Sequence, residues 1–307
     1  MRGRLSKPAM TCMAIVGVAL LVNGSAAPAW CMPAAQDIAQ APVIAPHVPL
    51  TPSDELDAQP LSPWDGLDGR TRQATADAAK SGADIEVVVM DRDTGQIVSN
   101  GATQPFPIAS VVKLFIADDL LLQESKGETK LSAADRKSLD IMLRSSDDGA
   151  AQTFWDRSGG NAIISRVVAR YGLSGTTAPY NGHWDVTQST ASDLVRYYDM
   201  LLDGTGGLPP EQTSVIITNL AQSTPTGTDG YPQRFGIPDG LFAEAVAVKQ
   251  GWFCCWSGAN QLHVSTGAIG LDARYVLAIS SLEPGDEASA RNTVTQAVKT
   301  MFPGGHI

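Results

Sequence analysis

Histidine and cysteine are scarce in this chain, with four of each among 307 residues. No Cys-x-x-Cys pair occurs, so a zinc site is not expected. Positive charge is also short: 22 Lys and Arg face 32 Asp and Glu, for a formal net charge of −10. A nucleic acid or an anionic lipid surface needs a basic face, so neither is expected as a partner. The apolar run Met10 to Val22 is too short for a comfortable membrane span. No internal repeat is present. The 43% hydrophobic and 18% charged content is that of an ordinary globular protein.

The first 29 residues have the form of an export signal. Arg2, Arg4 and Lys7 precede the apolar run, and Ala27-Pro28-Ala29 supplies a small-x-small cut site. Its removal would take the net charge from −10 to −13. Leu21-Val22-Asn23-Gly24 resembles a lipobox, but Ser25 stands where lipidation needs cysteine, and Cys31 follows Trp30. Secretion is therefore favoured over a lipid anchor. Cys12 leaves with the signal, and Cys31, Cys254 and Cys255 remain. A vicinal Cys254–Cys255 bridge and a bridge from one of them to Cys31 both stay open. Residues 30–66 carry seven prolines, from Pro33 to Pro63, and read as an extended linker. Residues 67–307 read as one folded unit.

Apolar periodicity predicts a helix over Thr71–Lys80, then strands over Ile85–Met90 and Gln96–Ser99 around the turn Asp91–Gly95. A helical block follows: Ala133–Leu143, Gly149–Trp155, Ala162–Tyr171, Ser189–Leu202 and Pro210–Leu220. Strands return at Ala245–Lys249, Gln261–Gly267 and Tyr275–Ser281, and a last helix covers Asp286–Met301. Two strands, inserted helices and three strands can close one antiparallel sheet, which is an α+β layout.

Ser110-Val111-Val112-Lys113 opens a segment apolar on nearly every side, so its helix is expected to be buried. A serine at that helix start lies beside unpaired N–H groups that can stabilise an oxyanion. Lys113, three residues on, shares its face. Burial lowers a lysine pKa, as a base for serine requires. The plain alternative makes Ser110 an N-cap. Two more motifs follow in order. Ser146-Asp147-Asp148 lies between two helices, and Lys249-Gln250-Gly251 ends an apolar strand, with Trp252 next.

Together these resemble the SxxK, SDN and KTG motifs of class A β-lactamases and penicillin-binding proteins. The flanking residues, Pro107–Leu121 and Arg144–Gly160, are similar to that family, and most of all to the mycobacterial LppW-type lipoproteins. The resemblance implies a β-lactamase/transpeptidase-like fold. It implies Ser110 as acyl-accepting nucleophile, Lys113 as its base and Ser146 as proton relay to a leaving nitrogen. Lys249 would keep the site electropositive and bind the substrate by attracting its carboxylate. Asp148, Gln250, Gly251 and Trp252 would contact substrate, and the N–H groups of Ser110 and Trp252 would form the oxyanion hole. The substrate would be a small molecule or derive from peptidoglycan, with no cofactor or metal. The location would be the cell envelope or outside it. Oligomeric state is not legible.

Several residues depart from the family pattern. Asp148 replaces Asn, and a carboxylate there is expected to raise the Lys113 pKa. Gln250 replaces a hydroxyl residue, Trp252 is bulky, and the stretch from Ser110 to Ser146 is short. The loop Ser174–Ser189 lacks the glutamate that activates the deacylating water. No Glu occurs from 129 to 210, and Asp185, beside His183 and Trp184, is that loop's only carboxylate. An acyl-Ser110 adduct is thus expected to hydrolyse slowly. His263 reads as structural or solvent-facing, and Tyr197-Tyr198 as core. Trp252, Phe253 and Trp256 read either as a pocket wall or as cover for the sheet edge. Two functions fit: an exported serine acyl-enzyme former with weak β-lactam turnover, or a silent wall-binding or sensing module.

Overall fold

The computed structural model describes residues 64–307. The export segment 1–29, Cys31 and nearly all of the Pro/Ala-rich stretch lie outside the described residues. The chain enters through α1 (Leu67–Lys80), which begins four residues before the periodicity predicts. Leu67 is buried, Asp68 pairs with Arg72 one turn on, and Gly66 adopts a positive φ at the N-cap. These contacts extend the helix backwards.

β1 (Asp84–Asp91) and β2 (Gln96–Ser99) form the first hairpin. The helical block lies between β3 (Phe106–Pro107) and α8 (Ile237–Gly240). It contains α2 (Lys113–Ser125), α3 (Ala133–Arg144), α4 (Asp148–Arg157) and α5 (Asn161–Tyr171). After β4 (Gln188–Ser189), which pairs with β3, come α6 (Ala191–Asp203) and α7 (Pro210–Ala221). The chain ends with β5 (Val246–Trp256), β6 (Asn260–Ile269), β7 (Tyr275–Glu283) and α9 (Glu287–Met301). The five long strands form one antiparallel sheet in the order β2-β1-β7-β6-β5. The expected α+β layout, first hairpin joined to the last three strands, is therefore the observed one.

Alternation along each strand divides the core in two. Val88, Val276, Ala278 and Val264 face the helical block. Val87, Val89, Leu277 and Ile279 face the layer built with Leu67 of α1, Ile237 of α8 and Val294 and Val298 of α9. Both faces of the central strands are covered, so β1 is buried from Ile85 to Val89.

Helix α2 is the axis of the helical block, buried without a break from Lys113 to Leu122. Asp118 and Asp119 are buried with it and satisfied from α5 and α6. Arg166 holds Asp119 through two bonds of 2.7 Å. Asp118 accepts from Arg170, Tyr171 Oη and, at 3.3 Å, Tyr197 Oη. Burial pushes the Asp118 carboxyl above its usual range, against the pull of Arg170. Tyr197 and Tyr198 are core residues, as their pattern indicates.

Two further element boundaries differ from expectation. Ser110 is not an N-cap; it lies in a 3-10 turn, Ala109–Val112, that feeds α2. β5 continues past Gly251 to Trp256, because Trp252 and Phe253 pair with His263 and Leu262 of β6. Cys254 and Cys255 form the vicinal bridge, at an S–S distance of 1.95 Å.

His263 is fully buried, which excludes the solvent-facing reading. Its Nε2 lies 2.6 Å from Tyr231 Oη, and Phe235 packs edge-on against the ring. Burial pushes its pKa down to about 3. Glu86 of β1 is also buried, accepts from Ala191 N at 2.8 Å, and is pushed up to about 7 by desolvation. Between pH 3 and 6.5 only the unfolded chain protonates His263, so stability from this group falls as pH drops. Between pH 4.5 and 7 only the folded chain keeps the Glu86 proton, so stability from that group falls as pH rises. Each slope is about 1.4 kcal/mol per pH unit, and in the overlap they oppose one another. Glu86→Gln should therefore unmask the His263 slope, with chemical-denaturation stability declining from pH 6.5 to 4.5 more steeply than in the wild type. A parallel decline in both proteins would contradict the assignment.

Candidate active site

The 3-10 turn bearing Ser110 packs directly against strand β5. A Cβ added at Gly251 would come within 2.6 Å of the Ile108 carbonyl oxygen, so only glycine lets the strand approach this closely. The loop before α4 completes the site. Asp147 caps α4 by accepting from Ala150 N at 2.7 Å. That cap holds Ser146 inward and places Asp148 in the helix's first turn. Ala109 and Ser146 both adopt a positive φ, 46° and 58°. Among the described residues, the other two non-glycine residues with positive φ are Ser257 and Ala273, in hairpin turns. Outside those turns, backbone strain is concentrated at this site among the described residues.

Four polar side chains meet below the surface: Ser110 is 8% exposed, Lys113 0%, Ser146 5% and Lys249 1%. Lys113 Nζ lies 2.8 Å from Ser110 Oγ, 2.6 Å from the Ser146 carbonyl, 2.6 Å from Asp148 Oδ1 and 3.3 Å from Ser146 Oγ. Lys249 Nζ donates to Ser146 Oγ at 2.7 Å and to the Gln250 carbonyl at 3.0 Å. Ser146 Oγ thus bridges the two amines. The Trp184 ring covers Lys113 Nζ, 4.8 Å from the ring centroid.

The protonation of Lys113 follows from magnitudes. Taking an ammonium fully out of water costs several kcal/mol. The Asp148 side chain remains 70% exposed. A charge-assisted bond to so exposed a partner returns about 1–3 kcal/mol. Desolvation therefore dominates, and the Lys113 pKa lies below its ordinary value although Asp148 pulls it up. This corrects the expectation from Asp148 alone. Bonding agrees. The Ser146 carbonyl and Asp148 can only accept, so they take both N–H bonds of a neutral amine. The lone pair then faces the Ser110 hydroxyl. Lys249 is pushed well below the ordinary value by burial and by its neighbour Lys113.

Above Ser110 is a small cavity of about 140 Å³. Trp184, Trp252 and Phe253 form aromatic walls, and Asp148, Asp185 and Asp229 supply carboxylates. Trp252 stacks on Tyr231 with ring centroids 4.6 Å apart. The aromatic cluster thus divides: Trp252 and Phe253 line this cavity, while Trp256 borders a separate depression with Phe106 and Leu262. Exposed His183 is not part of the wall.

Gln250 is a correction. Its amide donates to the Phe235 carbonyl at 2.5 Å, in the α8/α9 layer, so its side chain does not reach the cavity. Neighbouring strand residues point to opposite faces, and Lys249 takes the inward position. Trp252 shares the parity of Gln250. It nonetheless lines the cavity, its ring stacked on Tyr231. Asp229 escaped the sequence reading. It lies in a turn, accepting from Tyr231 N at 2.9 Å, and no motif marks it.

The chain is 59% identical to the lipoprotein LppW of Mycobacterium tuberculosis over 258 residues, covering 84% of this chain and 82% of that protein. The same identity and coverage hold for LppW of Mycobacterium bovis. The chain belongs to the LppW family. Residues 70–136 also match the model of the Beta-lactamase enzyme family. Among solved structures, the β-lactamase of Chitinophaga pinensis superposes with a TM-score of 0.62 at 17% identity, covering 76% of this chain and 98% of that one. TLA-3 extended-spectrum β-lactamase gives 0.64 at 12% identity, covering 77% and 98%. A PBP-A variant captured as an acyl-enzyme with penicillin G gives 0.63 at 17%, covering 80% and 97%. The fold of the LppW-family chain is therefore that of the class A β-lactamases and penicillin-binding proteins.

Asp148 is the residue through which the Lys113 balance can be moved. Replacing it with Asn removes the nearest anion and lowers the Lys113 pKa further. In Asp148→Asn, the acid limb of the pH profile for fluorophosphonate labelling of Ser110 should move to lower pH, read by intact mass. A shift to higher pH would contradict the role given to Asp148.

Proposed function

We propose that this LppW-family chain is an exported serine acyl-enzyme former that acylates readily and deacylates slowly. The observation that carries the reading is the buried Ser110–Lys113 contact, linked to Lys249 through Ser146. Neutral Lys113 takes the Ser110 hydroxyl proton as Oγ bonds to the carbonyl carbon of an ester, thioester or amide. The carbonyl π pair moves onto oxygen. It returns as the bond to the leaving group breaks, and the leaving atom takes the proton that Lys113 received from Ser110, directly or relayed through Ser146 Oγ. Acyl-Ser110 and the free amine, alcohol or thiol result.

The oxyanion donors in this reading are the N–H groups of Ser110 and Trp252. Strand parity supports Trp252. The Gln250 carbonyl points away from β6 to Lys249 Nζ, and in an antiparallel strand the N–H two residues on points the same way. Slow release rests on the loop chemistry. Asp185 is the only carboxylate of Ser174–Ser189, and among the described residues no hydrogen bond ties it to Ser110, Lys113 or Ser146. One observation favours the silent wall-binding alternative: the tryptophan walls leave a cavity well below the roughly 300 Å³ at which small-molecule pockets begin.

Intact-protein mass after incubation with penicillin G and with a fluorophosphonate separates the two. The enzyme reading expects a stable adduct with at least one reagent, lost in Ser110→Ala, and little steady-state hydrolysis of a chromogenic cephalosporin. No adduct with either reagent would favour the silent module. Rapid cephalosporin hydrolysis would overturn the slow-release claim.

A further inference from the structure

β-Lactams and peptide C-termini are anions, and a site that takes them needs positive charge at its mouth. The cavity above Ser110 presents the opposite sign. Asp148, Asp185 and Asp229 all line it. Asp148 and Asp229 are exposed, and Asp185 is partly so. The two lysines lie beneath, fully buried and already bonded to the Ser146 carbonyl, Asp148, Ser146 Oγ and the Gln250 carbonyl. The remaining walls are Trp184, Trp252 and Phe253, whose ring faces attract cations. Trp184 already carries the Lys113 amine over its ring, 4.8 Å from the centroid.

We propose that the cavity selects an organic cation: an acyl donor bearing an ammonium or guanidinium group close to its reacting carbonyl. The inference rests on the acyl-enzyme reading for its chemistry, but not for its sign. Ser110, Lys113 and the cavity define the site; the three carboxylates decide only which charge enters it. A metal ion is the poorer occupant. Among the described residues no three His, Cys, Asp or Glu side chains converge closely enough to ligate one, whereas aromatic walls with carboxylates at the rim suit a larger, partly apolar cation. Burial also favours neutral lysines, which leaves the rim carboxylates less compensated.

The test uses Ser110→Ala, so that binding is read without chemistry, and three ligands of one shape: benzylammonium, benzyl alcohol and benzoate. Each is titrated while the indole N–H signals of Trp184 and Trp252 are followed by NMR. Benzylammonium should bind about tenfold more tightly than benzyl alcohol, with benzoate weakest. The preference should shrink in high salt, and it should approach unity in Asp185→Asn/Asp229→Asn. Equal or tighter binding of benzoate, or no shift with benzylammonium, would overturn the cation assignment. Because Ser110 is absent, this result is independent of the adduct experiment. A charge preference without acylation would retire the enzyme reading and keep the cation site; acylation without the preference would do the reverse.

Discussion

Everything at this site depends on the burial of one amine. Lys113 begins a helix that is buried on every side through Leu122, so its ammonium has no water to lean on. The chain satisfies Nζ with a carbonyl, a carboxylate and two hydroxyls, and places an indole ring over it. Such a shell leaves both protonation states tolerable, and that is the condition for moving a proton. Asp148 pulls toward the charged form from a largely solvated position, and desolvation outweighs it.

The sheet serves that arrangement by supplying an edge. β5 is the edge strand of the sheet, and it packs against the turn that carries Ser110. Glycine at 251 lets backbone meet backbone there, while positive φ at Ala109 and Ser146 aims the two serines. The two cores hold the strand from opposite sides: Ala247 packs against the helical block, and Val248 against the α8/α9 layer. The strain at the two serine-bearing segments is thus borne by a scaffold with continuous packing around it.

Much of this was legible in the sequence, for identifiable reasons. Apolar runs of period two and 3.6 gave the sheet and most helices, and three motifs in order gave the fold. Tyr197-Tyr198 lay on an amphipathic helix and are core. What was not legible concerns direction and distance. Lys249 and Gln250 are neighbours in one motif, yet pleating sends them to opposite faces, a consequence that strand parity alone would have supplied. Asp118 and Asp119 read as interruptions in an apolar helix; their partners, Arg166 and Arg170, lie about 50 residues away. Asp229 reads as turn chemistry and reaches the site only through folding. The sign of the Lys113 shift needed both the burial of Nζ and the exposure of Asp148, and neither is a property of the motif.

The most direct test of the account is the titration of Lys113 itself, followed by the ¹³Cε and ¹⁵Nζ NMR signals and assigned with Lys113→Met. The account predicts a midpoint below the ordinary lysine value of 10.5. A midpoint at or above that value would mean that Asp148 outweighs burial. Lys113 would then be a standing ammonium, unable to take the Ser110 proton.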